Sequence, residues 1–236
     1  MKGISKLKSS LKKLFLVLFF IPLSAMADWA LNMREGATPI SQEIYNLHMV
    51  TLWVVTIIGI LVFGVMFWSI FHHRKSKGVK AAKFSHSTTV EIIWTIIPTV
   101  IIISLAIPAT KLLIKMDDTS EAAITIKATG SQWKWKYDYL DGVGEGLTFY
   151  SNLDKDSKEV SQRDSGLDPM ESENYLLDVD EPIVLPVNTK IRVLTTAQDV
   201  IHAWWVPDLG WKRDAIPGFI NDNWAVIEKP GTYRGQ

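Results

Sequence analysis

Three apolar runs open this chain, and an alternating pattern fills most of its second half. The first run, LFLVLFFIPL, comes after a basic start (Lys2, Lys6, Lys8, Lys12, Lys13) and before Ser24-Ala25-Met26-Ala27. A run of about 10 residues is too short for a bilayer core, which takes about 20. Its flanks are those of a secretory signal peptide cut after Ala27. The second run, about 47–71, contains no Asp, Glu, Lys or Arg, and the third, about 92–114, contains only Lys111 near its end. At about 1.5 Å per residue each crosses a hydrocarbon core of about 30 Å, and Lys111 is close enough to the boundary to snorkel. Pro98 and Pro108 are tolerated in a membrane helix when a neighbour covers the freed carbonyls, so packing against a partner is expected.

From about residue 116 the period changes from helical to two. ITIKATG (124–130), WKWKYDY (133–139), LTFYSNL, ENYLLDVD, PIVLPV, TKIRVLTT, IHAWWVP and FINDNWAVI are separated by Gly, Pro, Asn and Asp. Short strands at this spacing predict an all-β sandwich or barrel. The pattern in 133–139 puts Trp133, Trp135, Tyr137 and Tyr139 on one strand face. The charged, aperiodic stretch 153–173 reads as a surface excursion. The expected organisation is a signal peptide (1–27), an external segment (28–45), a transmembrane hairpin (46–115) and an external β domain (116–236).

Charge sets the orientation. The connection 72–90 carries Arg74, Lys75, Lys77, Lys80 and Lys83 and no acid, which keeps it in the cytoplasm. A cleaved signal peptide places the mature N-terminus on the opposite side, so the two signals agree. The chain is formally neutral, yet after Met116 it holds 21 Asp and Glu against 12 Lys and Arg. Such an external face raises the association rate of basic soluble partners and argues against nucleic acid. It equally serves solubility.

One histidine lies in the external part. His202 sits in DVIHAWWVPDLGWKRDAIPG (199–218) beside Trp204 and Trp205, and the sequence has no cysteine. An imidazole in a packed aromatic surface suits a metal, though a lone one is more often simply packed or hydrogen-bonded. His48, His72, His73 and His86 show no second ligand and receive no role. By residue type alone, Trp133 is a packing aromatic and Glu91 a favourable charge at a helix N-terminus.

The order of signal peptide, hairpin, VEIIWTIIP at the start of the second helix, WKWKYDY strand and IHAWWVPDLGWKRDAIPG resembles subunit 2 of the bacterial cytochrome c oxidase family of haem–copper oxidases. The resemblance covers 38–236. It implies membrane α plus all-β: a two-helix hairpin and an external cupredoxin-like Greek-key β barrel, periplasmic on a bacterial inner membrane. It implies a dinuclear copper centre, CuA, that takes electrons from cytochrome c and passes them to haem in subunit 1 of a proton-pumping oxidase, with subunit 3 a further partner. His202 falls on a copper-ligand position, and Trp133 on the tryptophan where electrons enter. Asp138 and Asp199 fall on acidic positions of the cytochrome c footprint, and Glu91 on the mouth of a proton path. Lys212, Arg213 and Asp214 fall in a region that faces subunit 1 and the haem propionates. The family's C-x-x-x-C thiolates, second histidine and methionine, together with a magnesium-binding glutamate, follow a Gly-Gln such as Gly235-Gln236. The expectation is therefore a chain truncated before them, with one ligand of the centre. The alternative is a copper-free structural subunit of a quinol-type oxidase, in which missing cysteines are normal but this histidine and tryptophan are not expected.

Overall fold

The structure is a computed structural model and describes residues 32–80, 83, 85–171 and 174–235. The expected signal peptide, and with it most of the unit Met1–Met33, lies outside the described residues. Everything from Arg34 onward forms the second compact unit.

Two long helices come first, α1 (Pro39–His72) and α2 (Thr88–Asp117). Both are long and apolar enough to cross a membrane. Side chains such as Trp53, Val65 and Ile102 are more than half exposed along them, as lipid-facing residues are. Both helices extend past their apolar runs. α1 begins eight residues before 47 because Thr38 and Ser41 form a capping box and Pro39 occupies the first turn, where a missing N–H costs nothing. Residues 39–45 of the expected external segment are thus already helical. Pro98 and Pro108 both lie inside α2. Among the described residues of the hairpin connection, Lys75–Lys77 form a 3-10 turn.

Among the described residues the β domain contains seven strands. β1 (Ile124–Ser131), β2 (Lys134–Asp141), β3 (Thr148–Asn152), β4 (Lys190–Ala197) and β7 (Asn221–Val226) form one sheet in the order β3-β2-β1-β4-β7. β1 and β4 are parallel and the other neighbours antiparallel. β5 (His202–Trp205) and β6 (Lys212–Ala215) form an antiparallel pair. Alternation decides what is inside: Ile191, Val193, Thr195 and Ala197 of β4 are buried while their neighbours are half-exposed. Ile124, Ile126, Ala128, Tyr137 and Tyr139 meet Trp204, Leu209, Trp211 and Ala225 in one core. Fully burying each Ile or Val stabilises by roughly 1.5–3 kcal/mol.

The core indoles are hydrogen-bonded, as buried polar groups must be. Trp204 Nε1–H donates to Tyr137 Oη at 3.0 Å and Trp211 Nε1–H to the Trp224 carbonyl at 2.9 Å. Trp224 Nε1–H in turn donates to the Lys115 carbonyl at 3.1 Å, tying β7 to the end of α2.

Three strand expectations are corrected. Trp133 is not in the strand: β2 starts at Lys134, and only Trp135, Tyr137 and Tyr139 turn inward. ENYLLDVD makes one isolated bridge, Leu153 to Val179, in place of a strand. PIVLPV runs with alternating exposure but joins no ladder, because Pro182 and Pro186 lack N–H groups and no described strand lies alongside. The excursion after Leu153 contains a short helix, α3 (Lys155–Ser161), capped by Asp154, whose carboxylate accepts from the N–H groups of Asp156 and Ser157.

Candidate functional site

The first turn of the His202 segment is organised by one carboxylate. Asp199 Oδ1 accepts from His202 Nε2 at 2.8 Å and from the Val200 N–H at 2.7 Å, while Oδ2 accepts from the Gln132 N–H at 2.8 Å. The His202 hydrogen bond, followed by those from the two amides, holds the Asp199 carboxyl down to about 2. An ionised carboxylate only accepts, so His202 must carry its proton on Nε2. No described group pairs with Nδ1, so in the neutral ring this nitrogen presents a lone pair.

Packing fixes the ring further. β1 pairs with β2 so that Gly130 lies opposite Trp135, and Trp135 meets the imidazole edge-on at 6.0 Å between centroids. From the same sheet face a Cβ on Gly130 would stand 2.8 Å from His202 Cγ. The imidazole therefore lies directly against backbone. His202 keeps 17% of its side chain exposed.

Trp133 is 84% exposed, the residue after Gln132 and so one peptide from the Asp199 carboxylate. Val200 and Ile201 are also exposed there, at 47% and 68%. The structure thus brings Trp133, Asp199 and His202 to one rim of the domain.

Asp138 lies on the outer face of the sheet, and its carboxylate is paired. Its side chain is 10% exposed, held by Lys136 Nζ at 2.7 Å and Lys127 Nζ at 3.1 Å, and it accepts from Thr148 Oγ1 at 2.9 Å. Burial pushes its carboxyl up, but the Lys136, Thr148 and Lys127 bonds outweigh burial and hold it below its ordinary value. Glu91 sits in the first turn of α2, far along the chain from this rim, and pairs with His86 Nδ1 at 2.8 Å. His86, given no role from sequence, also meets Thr88 Oγ1 through Nε2 at 3.0 Å.

Below the rim an apolar cleft of about 540 Å3 opens between Trp135, Tyr137, Trp204, Ile183, Leu185 and Tyr233. Among the described residues, no three His, Cys, Asp or Glu side chains converge as a metal site, and the sequence has no cysteine. A dinuclear copper centre needs soft thiolate donors. The residues of this chain alone therefore do not fit one, and His202 offers a single imidazole.

Fold and site together define a membrane-anchored cupredoxin-like β domain. Two family models cover it: "Cytochrome C oxidase subunit II, transmembrane domain" matches residues 26–112 and "Cytochrome C oxidase subunit II, periplasmic domain" matches 124–236. Cytochrome c oxidase subunit 2 of Cyanidium caldarium is 39% identical over 216 residues, covering 90% of this chain and 80% of its own. Probable cytochrome c oxidase subunit 2 of Rickettsia prowazekii is 36% identical, covering 98% of this chain and 72% of its own. The solved periplasmic domain of subunit II of cytochrome oxidase of Bradyrhizobium japonicum is 39% identical, covering 49% of this chain and 71% of its own, with a TM-score of 0.40. The chain belongs to the cytochrome c oxidase subunit II family.

Proposed function

We propose that this chain is the donor-facing subunit of a proton-pumping cytochrome c oxidase in a bacterial inner membrane, with its β domain periplasmic. A basic cytochrome c docks on the rim at Trp133 and Asp199, and electrons pass inward toward haem in subunit 1 for reduction of oxygen to water. Subunit 3 is a further partner. The observation that carries this reading is the Asp199 carboxylate, which joins the N–H of Gln132, the residue before exposed Trp133, to the ring of His202. An exposed indole gives a polarizable contact for a haem edge, and the carboxylate beside it supplies charge that speeds encounter.

His202 is the copper-ligand position of this reading. The Asp199 hydrogen bond orients its ring and sets its tautomer, as partners of metal-bound histidines do, and Nδ1 is the nitrogen offered to copper. The thiolates such a centre requires are not in this sequence.

At the opposite end of the hairpin, Glu91 is a proton-collecting carboxylate at the start of α2, and its His86 partner places a second titratable group beside it.

Steady-state turnover with reduced cytochrome c tests the docking face in an oxidase assembled with this chain. Trp133→Ala should lower kcat/KM at least about tenfold, as loss of a central aromatic contact does, with haem content unchanged. Unaltered turnover would overturn the reading.

A further inference from the structure

The junction between the hairpin and the β domain is built from residues that the docking face does not use. Thr38, at the start of α1, is completely buried, as is Ile40, and Ser41 is 3% exposed. Thr38 Oγ1 donates to the Leu209 carbonyl at 3.0 Å and accepts from the Ser41 N–H at 3.0 Å, while Ser41 Oγ accepts from the Thr38 N–H at 3.0 Å. The Ala37 N–H donates to the Asp208 carbonyl at 2.7 Å, and the Glu228 N–H donates to the Ala37 carbonyl at 3.1 Å. Asp208 and Leu209 belong to the 3-10 turn Pro207–Leu209, which directly follows β5 and its His202. The strand that carries the imidazole thus runs straight into the turn that receives the first membrane helix.

Steric fit closes the joint. Gly210 has φ of 89°, and a Cβ there would stand 2.7 Å from Ser41 Cα and 3.0 Å from Ser41 N, backbone atoms that cannot swing away. A second clamp holds the other helix. Lys190 Nζ donates to the carbonyls of Asp118 at 3.0 Å and Ser120 at 2.6 Å, and Thr119 Oγ1 donates to Asp222 Oδ2 at 3.0 Å. Connections between units are ordinarily exposed and mobile. Here both are hydrogen-bonded, and opening the first would strand the buried polar groups of Thr38 and Ser41.

We propose that Thr38, Ser41 and Gly210 form a rigid lock that fixes the His202 strand in height and orientation over the membrane, which makes them positioning residues for electron delivery to the partner. The positioning role rests on the proposed function, and the lock itself does not. Electron delivery between groups in two subunits falls with their separation, so a strand free to shift in height over the membrane would slow it.

The absence of cysteine makes the test direct. Spin labels at Val143→Cys, on the exposed β2–β3 turn, and at Val79→Cys, in the hairpin connection, report domain against membrane in the full chain in lipid nanodiscs. One narrow distance distribution is expected. It should persist in Thr38→Ser and broaden in Thr38→Val and Gly210→Ala. In the assembled oxidase, Gly210→Ala should lower kcat per haem about tenfold with KM for cytochrome c unchanged, since the docking face is untouched. An unbroadened distribution in both Thr38→Val and Gly210→Ala overturns the lock. Broadening with unaltered kcat overturns the positioning role. Failure of the docking reading would appear as unaltered turnover in Trp133→Ala and leave the label distances as they are, so the failures are separable.

Discussion

Gly130 lies beneath His202 so closely that a Cβ on it would meet imidazole Cγ at 2.8 Å and Cδ2 at 2.9 Å. Gly130 sits within β1 in extended backbone, so alanine is not strained there by conformation. The whole cost falls on the ring. Gly130→Ala is expected to push His202 off the Asp199 carboxylate and destabilise the domain by about 1–3 kcal/mol, the usual cost of overpacking. The Nε2–H proton resonance of His202, held by the hydrogen bond, should shift or exchange out. If the resonance stays in place, the close approach does not constrain the ring.

The Asp199 hydrogen bonds give the rim a defined acid limit. Its carboxyl is held down to about 2, first by His202 and then by the Gln132 and Val200 amides, against an ordinary value of about 3.9. A depressed folded value means stabilisation that is present above the ordinary value and lost as pH falls toward 2. Asp199→Asn should therefore flatten the fall of Tm between about pH 4 and pH 2 relative to the parent chain. Parallel curves for the two proteins through that window would exclude the linkage.

Much of this arrangement is legible in the sequence, and the exceptions share a cause. Alternation places Tyr137, Tyr139, Ile191 and Val193 inside because a strand's faces follow from parity alone. Parity does not say what covers the outer face. Asp138 faces outward as its position demands, yet Lys127 from β1 and Thr148 from β3 close over it, and their sequence distance hides that neighbourhood. The stretch 182–187 alternates correctly and packs Ile183, Leu185 and Val187 on the core, with the Val184 carbonyl accepting from Tyr139 Oη, yet it joins no ladder among the described residues, since the pattern records which side is apolar and not which strand lies alongside. Hydropathy places the helix ends short because it counts apolar residues, whereas Thr38 and Ser41 start α1 by hydrogen bonding. Asp199 and His202 stand three residues apart, a local spacing that could have suggested their pairing.

The Tyr137 hydroxyl is the acceptor for the Trp204 indole in the middle of the core, where both residues are buried. Burial pushes the Tyr137 hydroxyl up to about 12. Tyr137→Phe leaves a buried N–H without a partner and should cost about 1–3 kcal/mol in chemical denaturation. In alkaline titration the native chain should show one tyrosine that resists ionisation until about pH 12, and the variant should lack it. An unchanged denaturation midpoint would mean that the indole finds another acceptor.

Asp138 supplies the sharpest test of what is rim and what is support. A carboxylate held by Lys127, Lys136 and Thr148 and 10% exposed is shielded from an approaching partner, and its charge is offset by two ammonium groups. Removing it leaves those lysines crowded on one sheet face and the Thr148 hydroxyl without its acceptor. Because Lys127 and Lys136 keep 31% and 26% of their side chains exposed, Asp138→Ala is expected to cost about 1–3 kcal/mol. Association of cytochrome c should respond differently at the two acids. Asp199→Asn should slow association and weaken its dependence on ionic strength, the signature of a rim charge. Asp138→Asn, which keeps the volume, should leave that dependence close to the parent's. Stopped-flow association over a range of salt concentrations separates them, and a salt slope reduced as much by Asp138→Asn as by Asp199→Asn would return Asp138 to the docking face.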